Sequence, residues 1–228
     1  MEQTPPPNII DDIRAVMPSS ILSYLPRQLR RDEARDIAER QAATLLRLLD
    51  ITKPPVEIEL VMERPELVIE FVWQPLAGVT EWTGDHWKIH VNADYDVWQA
   101  REALAQKLKY ILDDPFREAL YPDWSHHDSA QRRPESTEAI AKYFAGCVLV
   151  PTPWLIQARE KGTHSVSGLA TLFHVSEQLI RTRLCQADLA PNCWRGYTRC
   201  VCRKGRQAIT EQVEHLAANR PALSGAQT

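Results

Sequence analysis

The placement of apolar residues divides the chain between helix and strand. From Arg31 to Asp50, apolar residues recur every three or four positions, which predicts a helix that buries one stripe. Between residues 56 and 91, two short segments alternate apolar and polar residues as half-buried strands do, and a mainly apolar run between them also indicates a strand. The predicted strands lie near 56–60, 67–73 and 87–91.

A helical period returns in the second half of the chain. It predicts helices at about 96–112 and 136–149, the first with a stripe that begins at Val97. Another helix should start at Thr152-Pro153, because threonine suits the N-cap and proline the first helical position. Val166 to Phe173 and Ser176 to Cys185 predict a compact helix pair. A helix, a small sheet and then more helices indicate the α+β class.

Composition sets the domain plan that we expect. Residues 1–30 should be a partly disordered N-terminal extension, 31–162 the main domain, 163–218 a basic helical extension and 219–228 a disordered tail. The chain has neither an 18-residue apolar run nor a signal-like start, and its five cysteines are an odd number. These features predict a cytoplasmic protein without membrane contact.

The charge is unevenly distributed. The formal net charge is -3, yet residues 181–206 contain seven Arg or Lys against one acid, Asp188. The preceding helix pair has a helix-turn-helix rhythm, although His174 stands where the turn often has glycine. One interpretation is a DNA-binding element, and the other is a pair of helices that only caps the core. The DNA-contact candidates are Gln178, Arg181, Arg183, Arg199, Arg203 and Arg206.

Several ordered motifs carry a family resemblance. The strand Trp87-Lys88-Ile89-His90-Val91-Asn92 is followed by Arg101-Glu102-Ala103-Leu104-Ala105 and then Gln106-Lys107-Leu108-Lys109-Tyr110. This resembles the ImmA/IrrE family of zincin-like peptidases, in which Ile-x-Val/Ile-Asn precedes a helix reading Arg-Phe-x-x-Ala-His-Glu-x-x-His. Further matches are Glu138 to Ala145 with Glu-x-x-Ala-Asn-x-Phe-Ala, and Leu169 to Ser176 with Leu-Ala-x-x-Phe-x-Val-Ser. The resemblance covers about residues 35 to 185.

The resemblance implies a zincin-like domain whose metal site has degenerated. The two histidine ligands of the family fall on Gln106 and Tyr110, its general-base glutamate falls on Lys107, and its third ligand is retained as Glu138. A zinc hydrolase needs ligands with available lone pairs and a carboxylate base. The amide oxygen of Gln106 binds zinc weakly, the phenol of Tyr110 is protonated near neutrality, and Lys107 cannot accept a proton while it is charged. We therefore expect no catalytic residue, no metal and no cofactor. Lys142 replaces the family asparagine, and Lys107 or Lys109 should lie close enough to Glu138 to compensate its charge.

Active members of the family are implicated in cutting helix-turn-helix repressors in phage, mobile-element and stress-response settings. The resemblance thus implies an inactive, peptidase-like regulator that binds a protein partner such as a repressor. One alternative is an active peptidase with a zinc site rebuilt from Glu138 and His126 or His127, and another is a DNA-binding regulator that uses residues 166–206. A separate structural zinc site would use the thiolates of Cys185, Cys193, Cys200 and Cys202.

Overall fold

The computed structural model describes residues 8–16, 31–73, 80–116 and 137–190. It divides the chain into two compact units, residues 1–180 and 181–228. The described part combines several helices with a small sheet, so the prediction of an α+β protein is confirmed. Residues 163–180, which we expected to open a helical extension, group with the first unit.

The helices follow the order that the apolar period predicts. Their bounds are α1 Ile9–Arg14, α2 Arg31–Leu48, α3 Val97–Asp113, α4 Thr137–Leu149, α5 Thr152–Glu160, α6 Val166–Phe173 and α7 Glu177–Gln186. Short 3-10 helices cover Ile58–Glu63 and Asp114–Phe116. In α5 the N-cap is Pro151, one residue before the predicted Thr152, and Pro153 lies in the first turn.

The described strands form one three-stranded sheet. They are β1 Leu67–Val72, β2 Thr80–Trp82 and β3 Trp87–Asn92, in the spatial order β1-β3-β2. β1 runs parallel to β3 and β2 runs antiparallel to it. Ile89 and Val91 are buried on one face of β3, because alternate side chains of a strand point to the same side.

Three features of this region differ from the sequence predictions. Residues 56–60 do not form a strand, since Ile58–Glu63 is a 3-10 helix that buries Ile58 and Val61 at a spacing of three residues. The strand β2 was missed, because its three residues are too few to show an alternating pattern. Val97, placed on the buried stripe of α3, is instead 67% exposed at the start of the helix.

The core of the first unit lies between α2, α3 and α4. α4 packs against both of the other helices, and this explains why residues 143–149 of α4 are all buried. No single helix in the described ranges is long and apolar enough to cross a membrane. The pair α4 and α5 passes that test together by length and composition, with a bend of 46° between them.

Part of the expected N-terminal extension belongs to this core. Ile9, Ile10 and Ile13 of α1 are buried. Arg14 donates through Nη2 to the carbonyl of Ile111 at 2.7 Å, which satisfies a carbonyl in the last turn of α3. Residues 1–7 and 17–30 lie outside the described ranges.

Candidate functional site

The candidate site lies on α3 and α4, around Lys107, Tyr110 and Glu138. A capping box fixes where α3 begins: Asp96 accepts from the Gln99 amide at 2.8 Å, and the Gln99 side chain accepts from the Asp96 amide at 3.0 Å. From this start, Lys107 and Tyr110 fall one turn apart. The Lys107 ammonium lies 5.0 Å from the centre of the Tyr110 ring, which is a cation–π contact.

Glu138, in the first turn of α4, is paired with a lysine of its own helix. Lys142 Nζ lies 2.5 Å from Glu138 Oε1, one turn further along. This hydrogen bond and the charge of Lys142 lower the pKa of Glu138, and Lys107 lowers it further. The pair is more than half exposed, so solvent screens it.

Lys107 completes the site from the α3 side. Its side chain is half-buried, and this burial lowers its pKa, whereas the charge of Glu138 acts in the opposite direction. The structure thus brings Lys107, Tyr110 and Glu138 together. Gln106 adjoins Lys107 on α3 and is half-buried.

Of the two lysines expected near Glu138, Lys107 acts on it electrostatically and Lys109 pairs elsewhere. Lys109 is 1% exposed and donates to Gln41 Oε1 and Asp113 Oδ1, each at 2.7 Å. Burial lowers the pKa of Lys109. The direct partner of Glu138 is Lys142, which sequence reasoning missed, although a glutamate four residues before a lysine on a helix is itself the signal for such a pair.

The residues at this site do not fit a zinc ion. The ammonium groups of Lys142 and Lys107 both act on the Glu138 carboxylate, and ammonium groups repel a divalent cation. Among the described residues, no three His, Cys, Asp or Glu side chains come together in a metal-binding arrangement. His126, His127, Cys193, Cys200 and Cys202 lie outside the described ranges, and Cys185 is half-buried on α7.

A second candidate element is the helix pair α6 and α7. Ser165 caps α6 by accepting from the Gly168 amide at 3.1 Å, and Ser176 caps α7 by accepting from the Leu179 amide at 3.1 Å. Between them His174 has φ 52° and ψ 54°, the left-handed conformation that glycine usually supplies. The turn therefore keeps its geometry without glycine, and histidine is among the residues enriched there.

The DNA-contact candidates are placed differently from one another. Gln178 is exposed and Arg181 is half-exposed on α7. Arg183 is 3% exposed and donates to Gln186 at 2.8 Å, so its guanidinium is not available to a phosphate. Arg199, Arg203 and Arg206 lie outside the described ranges.

Comparison with known proteins gives distant structural similarity only. No family model and no curated protein matches the chain. A solved structure, a Mycobacterium tuberculosis transcriptional regulator, is similar with a TM-score of 0.48 and 18% identity, over 78% of this chain. The chain spans about half of that structure, namely 52% of its length.

Proposed function

We propose that the first unit is a zincin-like domain of the ImmA/IrrE type that has lost peptidase chemistry and acts by binding a protein partner. The supporting observation is the pairing of Glu138 with Lys142, while Lys107 faces the same carboxylate. In an active member, zinc would neutralise the retained glutamate. Here lysine ammonium groups take over that electrostatic role.

The residues at positions 107 and 110 also lack the chemistry that a zinc peptidase needs. The position of the general base carries Lys107, which cannot accept a proton while its ammonium is charged. The ligand position at Tyr110 carries a phenol that is engaged with that ammonium. A water molecule in this site would be neither polarised by a metal nor deprotonated by a base, so the domain is suited to recognition rather than hydrolysis.

Zinc content and proteolysis test the proposal. We expect the purified protein to contain clearly less than one zinc per chain and to leave helix-turn-helix repressor substrates intact. A variant carrying Gln106→His, Lys107→Glu and Tyr110→His should bind zinc weakly, because Lys142 still occupies Glu138. Adding Lys142→Asn should increase zinc affinity further by freeing the carboxylate.

The matched control is Lys88→Asn in the same triple variant. Lys88 is a sheet lysine whose ammonium pairs with Glu70 at 3.2 Å, away from the site. Lys88→Asn removes the same charge as Lys142→Asn, but only Lys142→Asn should change the zinc affinity. Proteolysis by the unmodified chain that is sensitive to EDTA and lost in Glu138→Ala would overturn the proposal.

A second candidate function is DNA binding by α6 and α7. It is favoured by the tight left-handed turn at His174 between two serine-capped helices, an arrangement that a helix-turn-helix also has. In such motifs the first residues of the second helix contact base edges, and Gln178 is exposed at this position. Retention on DNA that weakens steeply with salt would support this function.

A further inference from the structure

Helix α3 covers the turn between α6 and α7. Arg101 donates through Nη1 to the carbonyl of His174 at 2.6 Å, and the Trp98 ring meets the His174 imidazole edge-on at 5.8 Å. Arg101 is itself buried. It also donates to the carbonyl of Val56 and pairs with Glu59 at 2.8 Å. The turn is therefore attached to the body of the first unit, while His174 itself remains exposed.

A carboxylate from α3 also reaches the N-terminus of α7. Ser176 Oγ donates to Glu102 Oε1 at 2.6 Å while it accepts from the Leu179 amide. The first turn of a helix carries a partial positive charge, and this is where a helix-turn-helix protein brings DNA closest. Glu102 thus places a negative charge where a phosphate would approach.

We propose that α3 restrains DNA binding by α6 and α7, with Glu102 opposing the approach of the phosphate backbone to α7. The inference rests on the second candidate function, DNA binding. Trp98 and Arg101 hold the turn in this restrained arrangement, and Glu102 supplies the unfavourable charge. As long as these contacts hold α3 against the turn, the Glu102 carboxylate stays beside the first turn of α7.

The decisive variant is Glu102→Gln in the full chain. Glutamine keeps an oxygen that can accept from Ser176, so the cap of α7 is preserved while the charge is removed. Binding to a fluorescein-labelled mixed-sequence DNA duplex should tighten by about fivefold to tenfold at about 0.1 M salt, roughly the effect of one phosphate charge. Glu81→Gln is the matched control, because Glu81 is exposed on β2 and its replacement changes the net charge equally.

A second variant, Trp98→Ala, tests the mechanical part of the restraint. It should tighten DNA binding and speed hydrogen exchange at the Leu179 amide, because the turn loses a contact with α3. Weaker DNA binding by Trp98→Ala would show that α3 positions the helices for DNA, which overturns the restraint.

The remaining outcomes separate the restraint from DNA binding itself. Equal affinity of the unmodified chain and Glu102→Gln would overturn the restraint and leave DNA binding intact. If Glu81→Gln raised the DNA affinity as much as Glu102→Gln does, net charge alone would explain the effect, and the restraint would be overturned. If the unmodified chain and all three variants fail to bind the duplex at low salt, both DNA binding and its restraint are refuted.

Discussion

Lys109 forms a buried polar cluster with Asp113 and Gln41, in which the Gln41 Nε2 group has no hydrogen-bond partner among the described residues. Such a cluster is costly to disrupt one member at a time, because the remaining charge stays buried without compensation. We expect Lys109→Ala to lower the free energy of unfolding by about 3–5 kcal/mol.

Replacing the whole cluster provides the control. Lys109→Met combined with Asp113→Leu and Gln41→Leu removes every buried polar group at once, and its unfolding free energy should lie close to that of the unmodified chain. Urea denaturation monitored by circular dichroism measures both variants. If Lys109→Ala alone left the unfolding free energy unchanged, the explanation by an uncompensated buried charge would be wrong.

Two lysines lower the pKa of Glu138, and they do so to different extents. Lys142 contributes more than Lys107 to lowering the pKa of Glu138 below its ordinary value of 4.5. A folded-state pKa below the unfolded value means that this group stabilises the fold above pH 4.5 and loses that contribution as the pH falls through the folded pKa. We expect Lys142→Asn to raise the pKa of Glu138 more than Lys107→Gln does.

Carbon-13 NMR titration of the Glu138 carboxyl measures this difference directly. The control is Lys88→Gln, which removes a lysine that pairs with Glu70 on the sheet and should leave the Glu138 titration unchanged. A larger shift in Lys107→Gln than in Lys142→Asn would mean that the main counter-charge of Glu138 comes from α3.

Among the elements, the turn between α6 and α7 depends on the backbone of a single residue. His174 adopts a left-handed conformation that costs a residue with a Cβ atom about 1 kcal/mol relative to glycine. His174→Gly and His174→Ala both remove the contact with Trp98, so comparing them isolates the backbone contribution. We expect His174→Gly to be more stable than His174→Ala by about 1 kcal/mol in urea denaturation. Equal stabilities would show that the turn changes conformation when the imidazole is removed.

The helices were the elements that the sequence predicted well. Their period extends over several turns, and residues such as Pro151 and Ser176 define their ends. The segment at 56–60 was mispredicted because burial of Val56 and Ile58 satisfies an alternating pattern, while Val61 shows the spacing of a 3-10 helix. The apolar pattern was too short to distinguish the two.

For the whole molecule, the family resemblance placed Lys107, Tyr110 and Glu138 in one neighbourhood, and the packing of α3 on α4 supplies that proximity. Which of the two lysines acts on Glu138 could not be predicted from the sequence. Lys107 and Lys109 are two residues apart, and only the packing against α2 decides that Lys109 turns inward to Gln41. The contact of Glu102 with Ser176 joins residues 74 positions apart, beyond the reach of any local pattern.

The charge balance around Glu138 restricts the order in which substitutions could create a metal site. Lys107→Glu alone would bring a second carboxylate towards Glu138, and Lys142→Asn alone would remove its closest partner. Neither step gains metal affinity until histidines replace Gln106 and Tyr110. If Lys142→Asn comes last, the pair of Glu138 with Lys142 persists through the changes at positions 106, 107 and 110, and the final change frees the carboxylate for a metal.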